Sequence, residues 1–344
     1  MHRRTFLGTA AATAWGSGCL QRTAPVAAPH KGITLDPWRA RPTMEDLGNI
    51  RDLGATHLAL FPFAYMRSYT DPAVIRYDAS HPRMDWSLTD EAYLEIGRMA
   101  RRVGLRVVLI PTLADFVDGH WRGEVHMTDE PRWQAWFGSY RLFLLHYAQL
   151  AQRLGAVGFS VGTELRATVH RVEEWSETVA LVRQAFAGWL TYAANWDDYA
   201  SVPWWDAMDV IGVQAYFELG DPSSDPARTR DRLVERWQPI VRGLQATSER
   251  WDRKILFTEV GYKSHTGATI HPWDWAIAGD VDEALQAHAY EAAFRACWGQ
   301  PWFEGFYWWK WHPEAGMTEP RPRGFTPQGK PAEEVLRRWY GMGT

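Results

Sequence analysis

The chain is poor in cysteine and carries little surplus charge of either sign. Its 344 residues include two cysteines, and 37 lysines and arginines stand against 41 aspartates and glutamates, for a formal net charge of −4. Only Cys297 remains after the first 28 residues, so no disulfide can form within the body of the chain. Its apolar, helix-like surroundings indicate a buried thiol. So small a net charge gives no basic field for nucleic acid, and we expect no such partner.

Several motifs that would indicate other chemistry are also missing. No glycine-rich phosphate loop follows a strand, and neither His-Glu-x-x-His nor Cys-x-x-Cys occurs. The histidines are scattered along the chain, so we expect neither a metal site nor a cofactor. After the first 28 residues no apolar run approaches the ~20 residues that span a bilayer.

Residues 1–28 have the features of an export signal. The run from Arg3 to Leu7 begins with two arginines, and an Ala-rich, modestly apolar stretch follows, which resembles a twin-arginine signal. Cys19 follows Gly-Ser-Gly and resembles a lipoprotein cleavage site, although Gly16 replaces the usual aliphatic residue. Both a lipid anchor at Cys19 and its absence therefore stay open. We predict a signal peptide over 1–28 and an exported protein, either periplasmic or tethered to the membrane.

Short apolar runs alternate with longer segments of helical periodicity from Lys31 onward, and eight such pairs can be counted. The run Val107–Ile110 is apolar on both faces, as a sheet covered on both sides requires. The second, fifth and eighth strands are predicted at His57–Phe63, Trp189–Asn195 and Phe303–Trp311. Alternation of this kind, with no linker, predicts a single α/β domain over 30–344, a (β/α)8 TIM barrel preceded by the export signal.

Two predicted strands end on a glutamate. The fourth runs into Glu164 and the seventh into Glu259, each directly after a threonine. Carboxyl ends of barrel strands lie on one face, so the two side chains should meet there. Cleavage of a glycosidic bond needs one carboxylic acid and one carboxylate. Alternatively, each glutamate is only a solvated charge at a strand end.

Tryptophan is abundant, at 21 residues, and about half of these follow predicted strand ends. The eleven are Trp38, Trp86, Trp121, Trp196, Trp204, Trp205, Trp273, Trp275, Trp308, Trp309 and Trp311. Indole faces stack on the C–H faces of sugar rings, and the indole N–H can meet a hydroxyl. The pattern predicts an aromatic rim that binds sugars, unless some of these rings only anchor loops.

Four stretches resemble glycoside hydrolase family 113, the endo-β-1,4-mannanases of the retaining glycosidase clan. They are Val161–Leu165, Phe257–Tyr262, Pro272–Trp275 and Trp308–Trp311, and the resemblance extends from Lys31 to Tyr340. The resemblance implies double displacement with Glu164 as acid/base and Glu259 as nucleophile. It also implies that Tyr216 lies near the nucleophile and that Trp309 forms a platform under the sugar.

We thus expect a β-linked oligo- or polysaccharide as partner. The predicted substrate-binding residues are Tyr216, Trp309, Trp311, Trp38, Trp196, Trp273, Trp275 and Lys310. The chain departs from the clan in having Thr163, where Asn usually precedes the acid/base, and in lacking an Arg on its second strand. A glucanase, an exo-acting mannosidase and a non-catalytic sugar-binding envelope lipoprotein are the alternative functions; the lipoprotein would not need both glutamates.

Overall fold

A closed barrel of eight parallel strands forms the centre of the molecule. The computed structural model describes residues 29–114, 119–222, 226–276, 279–314 and 322–341. In order around the barrel, the strands are β1 (His30–Leu35), β2 (His57–Leu60), β5 (Arg106–Leu109), β7 (Gly158–Thr163), β8 (Trp189–Asn195), β9 (Ile211–Gln214), β10 (Ile255–Val260) and β11 (Phe303–Trp311), which pairs back with β1. The predicted TIM barrel is confirmed, while the predicted signal and Cys19 lie outside the described residues.

Helices cover the barrel between strands. They are α1 (Met44–Asp52), α2 (Asp90–Arg102), α3 (Glu130–Leu154), α4 (Val172–Ala185), α5 (Pro226–Trp251), α6 (Glu283–Cys297) and α7 (Pro331–Gly341). The expectation of a helix after every strand is wrong for the fifth, because β8 and β9 are joined by two 3-10 turns, Tyr199–Ser201 and Trp205–Ala207. The indoles of Trp204 and Trp205 are buried there and cover the barrel in place of a helix.

Local sequence signals set the helix ends. Thr43 caps α1 in a reciprocal arrangement with Asp46, in which each side chain accepts from the other residue's backbone N–H. Asp129 caps α3, and Gly155 ends it with a φ of 73°, a left-handed conformation that costs glycine little. The long α3 thus begins and ends at local sequence signals.

Apolar side chains fill the interior of the barrel. Phe61, Val108, Ile110, Leu256 and Tyr307 form much of this inner cluster, and a larger core lies between strands and helices. The filled interior makes the barrel a rigid support for groups at its rim.

A small second sheet extends the barrel wall at the carboxyl ends. It consists of β3 (Phe63–Tyr65), β4 (Ile75–Arg76) and β6 (Thr112–Leu113). The predicted second strand therefore ends early, since Pro62 cannot donate a hydrogen bond to the ladder and separates β2 from β3. Among the described residues, no helix is both long and apolar enough to cross a membrane.

Candidate active site

Glu164 directly follows β7 and has an unusual backbone conformation. Its φ is 54°, in the left-handed region that non-glycine residues rarely adopt. Hydrogen bonds hold the segment there: the Glu164 N–H donates to the Ala193 carbonyl at 2.8 Å, and the Tyr192 hydroxyl accepts from the Leu165 N–H at 2.8 Å. Strain that the surroundings impose on one residue is common at functional sites.

Two side chains donate hydrogen bonds to the same oxygen of Glu164. Arg122 Nη1 donates to Oε2 at 2.6 Å, and Trp121 Nε1 donates to the same atom at 3.2 Å. Both donors come from the loop after the third barrel strand, within or beside a 3-10 turn, Arg122–Glu124. Sequence reasoning placed Trp121 on the rim but missed Arg122, because nothing in the local pattern separates it from a solvated loop arginine.

Glu259 lies in β10, and each of its carboxylate oxygens accepts a hydrogen bond. Gln214 Nε2 donates to Oε2 at 2.8 Å, and the Tyr216 hydroxyl donates to Oε1. The Thr258 hydroxyl in turn donates to the Gln214 side-chain oxygen at 2.8 Å, which fixes the orientation of the amide. The carboxylate is therefore held in one orientation by groups from β9, β10 and the segment after β9.

Burial changes the acid–base behaviour of this carboxyl. Burial, and then the charge of Glu164, raise the pKa of Glu259 to about 7, against the opposing effect of hydrogen bonds from Tyr216 and Gln214. Burial also raises the pKa of Tyr216 well above its ordinary value, so its hydroxyl stays protonated and keeps donating. Glu259 can thus gain or lose a proton near neutral pH.

Both glutamates line one cavity of about 580 Å³ at the carboxyl ends of the strands. This cavity, the cleft, is lined by Phe61, Phe63, Thr112, Trp121, Arg122, Thr163, Glu164, Asn195, Trp196, Asp197, Gln214, Tyr216, Glu259, Trp273, Trp275 and Trp309. Its volume and aromatic walls are typical of a site that binds a small molecule or a short polymer. The described residues include no group of three or more His, Cys, Asp and Glu arranged to hold a metal ion.

A sequence model of glycoside hydrolase family 113 matches residues 33–340. The chain belongs to glycoside hydrolase family 113. This confirms the family that the motifs around the two glutamates predicted, and it makes the protein an enzyme that hydrolyses glycosidic bonds.

Solved structures of this family share the barrel along nearly its full length. A β-mannanase, AaManA of Alicyclobacillus acidocaldarius, is 30% identical, with 91% of this chain and 97% of that one covered and a TM-score of 0.79. A second structure, described as a family 113 β-1,4-mannanase, is 26% identical over 92% of this chain and 100% of the other, with a TM-score of 0.75. A β-glucuronidase of Ruminococcus gnavus, 14% identical with a TM-score of 0.59 over 91% of this chain and 50% of its own, shares the fold alone. Comparison with curated proteins gives no match.

Most of the aromatic residues predicted to bind substrate line the cleft of this family 113 enzyme. They are Tyr216, Trp309, Trp196, Trp273 and Trp275. The sixth, Trp38, lines a smaller adjoining cavity of about 230 Å³ that shares Phe61, Phe63 and Trp309 with the cleft.

Trp311 and Lys310 do not line the cleft, which corrects the prediction for both. Trp311 is 4% exposed and packs in the core, where a register irregularity in the β1–β11 pairing breaks the regular alternation of side chains. Lys310 is buried and donates to Asp36 at 2.8 Å, with its ammonium 5.1 Å from the Trp309 ring and 5.3 Å from the Trp275 ring. It supports the aromatic walls by cation–π contact.

Other rim tryptophans proved to be core residues. Trp204, Trp205 and Trp308 are at most 3% exposed, so the prediction of a sugar-binding rim is wrong for these three. By contrast, Trp273 is 45% exposed, and its indole N–H donates to Glu218 at 3.0 Å. That bond holds its ring at the edge of the cleft.

Two polar residues of β7 are occupied by internal hydrogen bonds. Thr163 donates to the Pro111 carbonyl at 3.0 Å, so its hydroxyl proton is not available to a sugar in this arrangement. Ser160 lies within a Gly-x-Ser-x-Gly sequence, Gly158–Gly162, which elsewhere presents a nucleophile. Here its side chain is fully buried and donates to the Gly162 carbonyl at 2.7 Å. In this arrangement both hydroxyl groups donate within the protein and not into the cleft.

Proposed function

We propose that this family 113 enzyme is a retaining endo-β-1,4-mannanase, with Glu164 as acid/base and Glu259 as nucleophile. The observation that carries the proposal is the meeting of these two carboxyl groups in one aromatic cleft, at the ends of β7 and β10. The substrate follows from the 30% identical relative, which is a β-mannanase.

The two carboxyl groups would act in two steps. In the first, Glu164 gives its proton to the glycosidic oxygen, the C1–O bond breaks, and a Glu259 oxygen bonds to C1. In the second, Glu164 takes a proton from water, the water oxygen bonds to C1, and the ester to Glu259 breaks. Hydrogen bonds from Tyr216 and Gln214 support the nucleophile's role, because they favour its ionised form and fix its direction.

The walls of the cleft suit sugar rings on both sides of the reacting carbon. Trp309 and Trp275 contact each other edge to face at 6.1 Å, and Trp196 lines the same cleft. The adjoining cavity at Trp38 offers room for a further unit of the chain beyond Trp309. A site that takes several consecutive units favours attack within a chain.

The substrate assignment can be tested with polymers. The purified barrel would be incubated with mannan, glucomannan, cellulose and xylan, with Glu259→Ala as the blank and Glu304→Gln as a matched control. Glu304 is a buried glutamate at the start of β11 that forms an ion pair with Lys254 at 3.0 Å and lies outside the cleft. We expect oligosaccharides from mannan with wild type and control only. Equal signal from enzyme and blank on every polymer would favour a non-catalytic sugar-binding protein.

The stereochemical course tests the two-step mechanism. Retaining β-glycosidases hold their carboxyl groups roughly 5–5.5 Å apart and release the β-anomer first, whereas inverting enzymes leave room for a water. Proton NMR of the earliest product from a β-mannooligosaccharide would show which anomer forms. Initial release of the α-anomer would rule out Glu259 as a nucleophile.

We also propose that the protein is exported, and that it is either periplasmic or tethered to the membrane through Cys19. The twin arginines near the start and the small residues before Cys19 support this. Cell fractionation and labelling with a radioactive fatty acid would compare wild type, Cys19→Ala and a double Arg3→Lys, Arg4→Lys variant. Label on wild type but not on Cys19→Ala would show the tether, absence of label from both would show a periplasmic protein, and wild-type protein retained in the cytoplasm would contradict export.

A further inference from the structure

Arg122 forms a direct ion pair with Glu164 inside the cleft. Besides the 2.6 Å contact from Nη1 to Glu164, its Nε donates to the Leu113 carbonyl at 2.5 Å, so the guanidinium is held from two sides. The Arg122 side chain is 16% exposed and that of Glu164 is 11% exposed. Water therefore screens the pair poorly, and the charge-assisted bond is stronger than one on the surface.

The loop that carries Arg122 is itself anchored. Trp121 donates to the same Glu164 oxygen, and the guanidinium of Arg166 lies 5.2 Å from the Trp121 ring. Arg166 is in turn held by Asp197 and by Asp198, the latter at 2.9 Å. The contact between Arg122 and Glu164 is thus part of a network that links the loops after the third, fourth and fifth strands.

This pairing conflicts with half of the catalytic cycle. An acid must carry a proton before the first step, and an adjacent guanidinium favours the ionised carboxylate instead. A base must be ionised before the second step, which the guanidinium favours. Between the steps the leaving sugar departs, so the part of the cleft next to Glu164 is occupied in one step and empty in the other.

We propose that Arg122 is a positioning residue that converts Glu164 from acid to base during the cycle. Resting on the proposed function, the inference is that a leaving-group sugar displaces Arg122 from Glu164, so that the carboxyl can hold the proton it donates. Once that sugar departs, Arg122 returns to Glu164, and the ionised carboxylate takes the proton from water. No proton comes from Arg122 itself.

Several other groups face Glu164 and must be counted in any pH dependence. They are Glu259 from β10, Tyr192 from β8, Asp198 beyond the end of β8, and Tyr216 beside the nucleophile. Glu259 becomes an uncharged ester in the glycosyl-enzyme. Arg122 is then the charged group in direct contact with Glu164.

Reactivation of a trapped glycosyl-enzyme isolates the second step. The enzyme would be inactivated with a 2-deoxy-2-fluoro-β-mannosyl fluoride, freed of reagent, and followed across pH as activity returns. In Arg122→Met we expect about tenfold slower reactivation, because the carboxylate that takes the proton from water has lost its direct charged hydrogen-bond partner. Arg122→Lys keeps the charge and should restore part of the loss.

The controls separate this inference from the proposed function. Arg141→Met removes an equally shielded arginine, 18% exposed, that donates to Thr178 outside the cleft, and it should leave the profile unchanged. In Glu164→Ala, azide should accelerate reactivation by replacing water as nucleophile; if neither slow reactivation nor azide rescue is seen, the assigned role of Glu164 fails. Normal reactivation in Arg122→Met, with azide rescue of Glu164→Ala intact, overturns only the role of Arg122.

Discussion

Removal of the Tyr216 hydroxyl is expected to move the pH range in which the enzyme works. In Tyr216→Phe the aromatic ring stays, but Glu259 loses a donor that favours its ionised form. A hydrogen bond to a charged group contributes about 1.5–3 kcal/mol, and one pKa unit corresponds to about 1.4 kcal/mol. The pKa of Glu259, now about 7, should therefore rise by roughly one to two units.

The sign of the effect follows from the role of the group. A nucleophile must be ionised, so a higher pKa removes activity on the acid side and leaves the alkaline side unchanged. At pH 6 the ionised fraction would fall from about one tenth to about one hundredth or less, which is a loss of at least roughly tenfold in kcat/KM.

The assay is the pH profile of kcat/KM on an aryl β-mannobioside. Tyr140→Phe is the matched control, because Tyr140 is buried and donates to the Val161 carbonyl at 3.0 Å, away from the cleft. It should lose stability without a change in the acid limb. An acid limb at the same pH in wild type and Tyr216→Phe would refute the reasoning, since Tyr216 would then not tune Glu259.

Three further predictions concern the walls of the cleft and the base of the barrel. Trp309→Ala should lower kcat/KM at least about tenfold, because the ring lines the cleft. Its free energy of unfolding should fall by less than the ~3–5 kcal/mol of a buried large-to-small change; a loss of that full size on urea unfolding, with unchanged turnover, would contradict this. Glu218→Gln should raise KM for long mannooligosaccharides several-fold with kcat unchanged, because Trp273 loses its carboxylate acceptor; an unchanged KM would show that this bond is unimportant. Burial, Arg106 and Lys254 lower the pKa of His30 to about 3, so this histidine is neutral in the fold but charges near 6.5 when unfolded. Stability should thus fall below pH 6.5, by about 3 kcal/mol at pH 4.5 from this residue; equal losses in wild type and His30→Gln on urea unfolding would contradict it.

The guanidinium in the described cleft comes from a loop that the sequence pattern does not single out. The second strand lacks the arginine that many members of the clan carry, yet a guanidinium is present, brought from another loop by Arg122. A loop arginine has no signature in hydrophobic periodicity, and Arg122 lies 42 residues before Glu164 in the chain. Only the packing of the loop after the third strand against β7 brings the two together.

Strand and helix positions depend largely on local pattern, and the sequence predicts them well where burial is two-sided. The fifth and eighth strands occupy Trp189–Asn195 and Phe303–Trp311, as predicted. The prediction was wrong where a connection replaced a helix with buried tryptophans, as at Trp204 and Trp205. A tryptophan after a strand has the same sequence context whether it faces substrate or core.

By itself the sequence determined that this chain forms an α/β barrel with Glu164 and Glu259 at the ends of its fourth and seventh strands. It could do so because apolar periodicity specifies strands and helices locally, and parallel strands in a closed barrel all end on one face. Only the tertiary structure decided what each carboxyl group contacts, with Arg122 at one and Tyr216 and Gln214 at the other. Burial and charge at a site are sums over groups distant in the chain, so the difference between two glutamates with the same sequence context arises only when the fold assembles them.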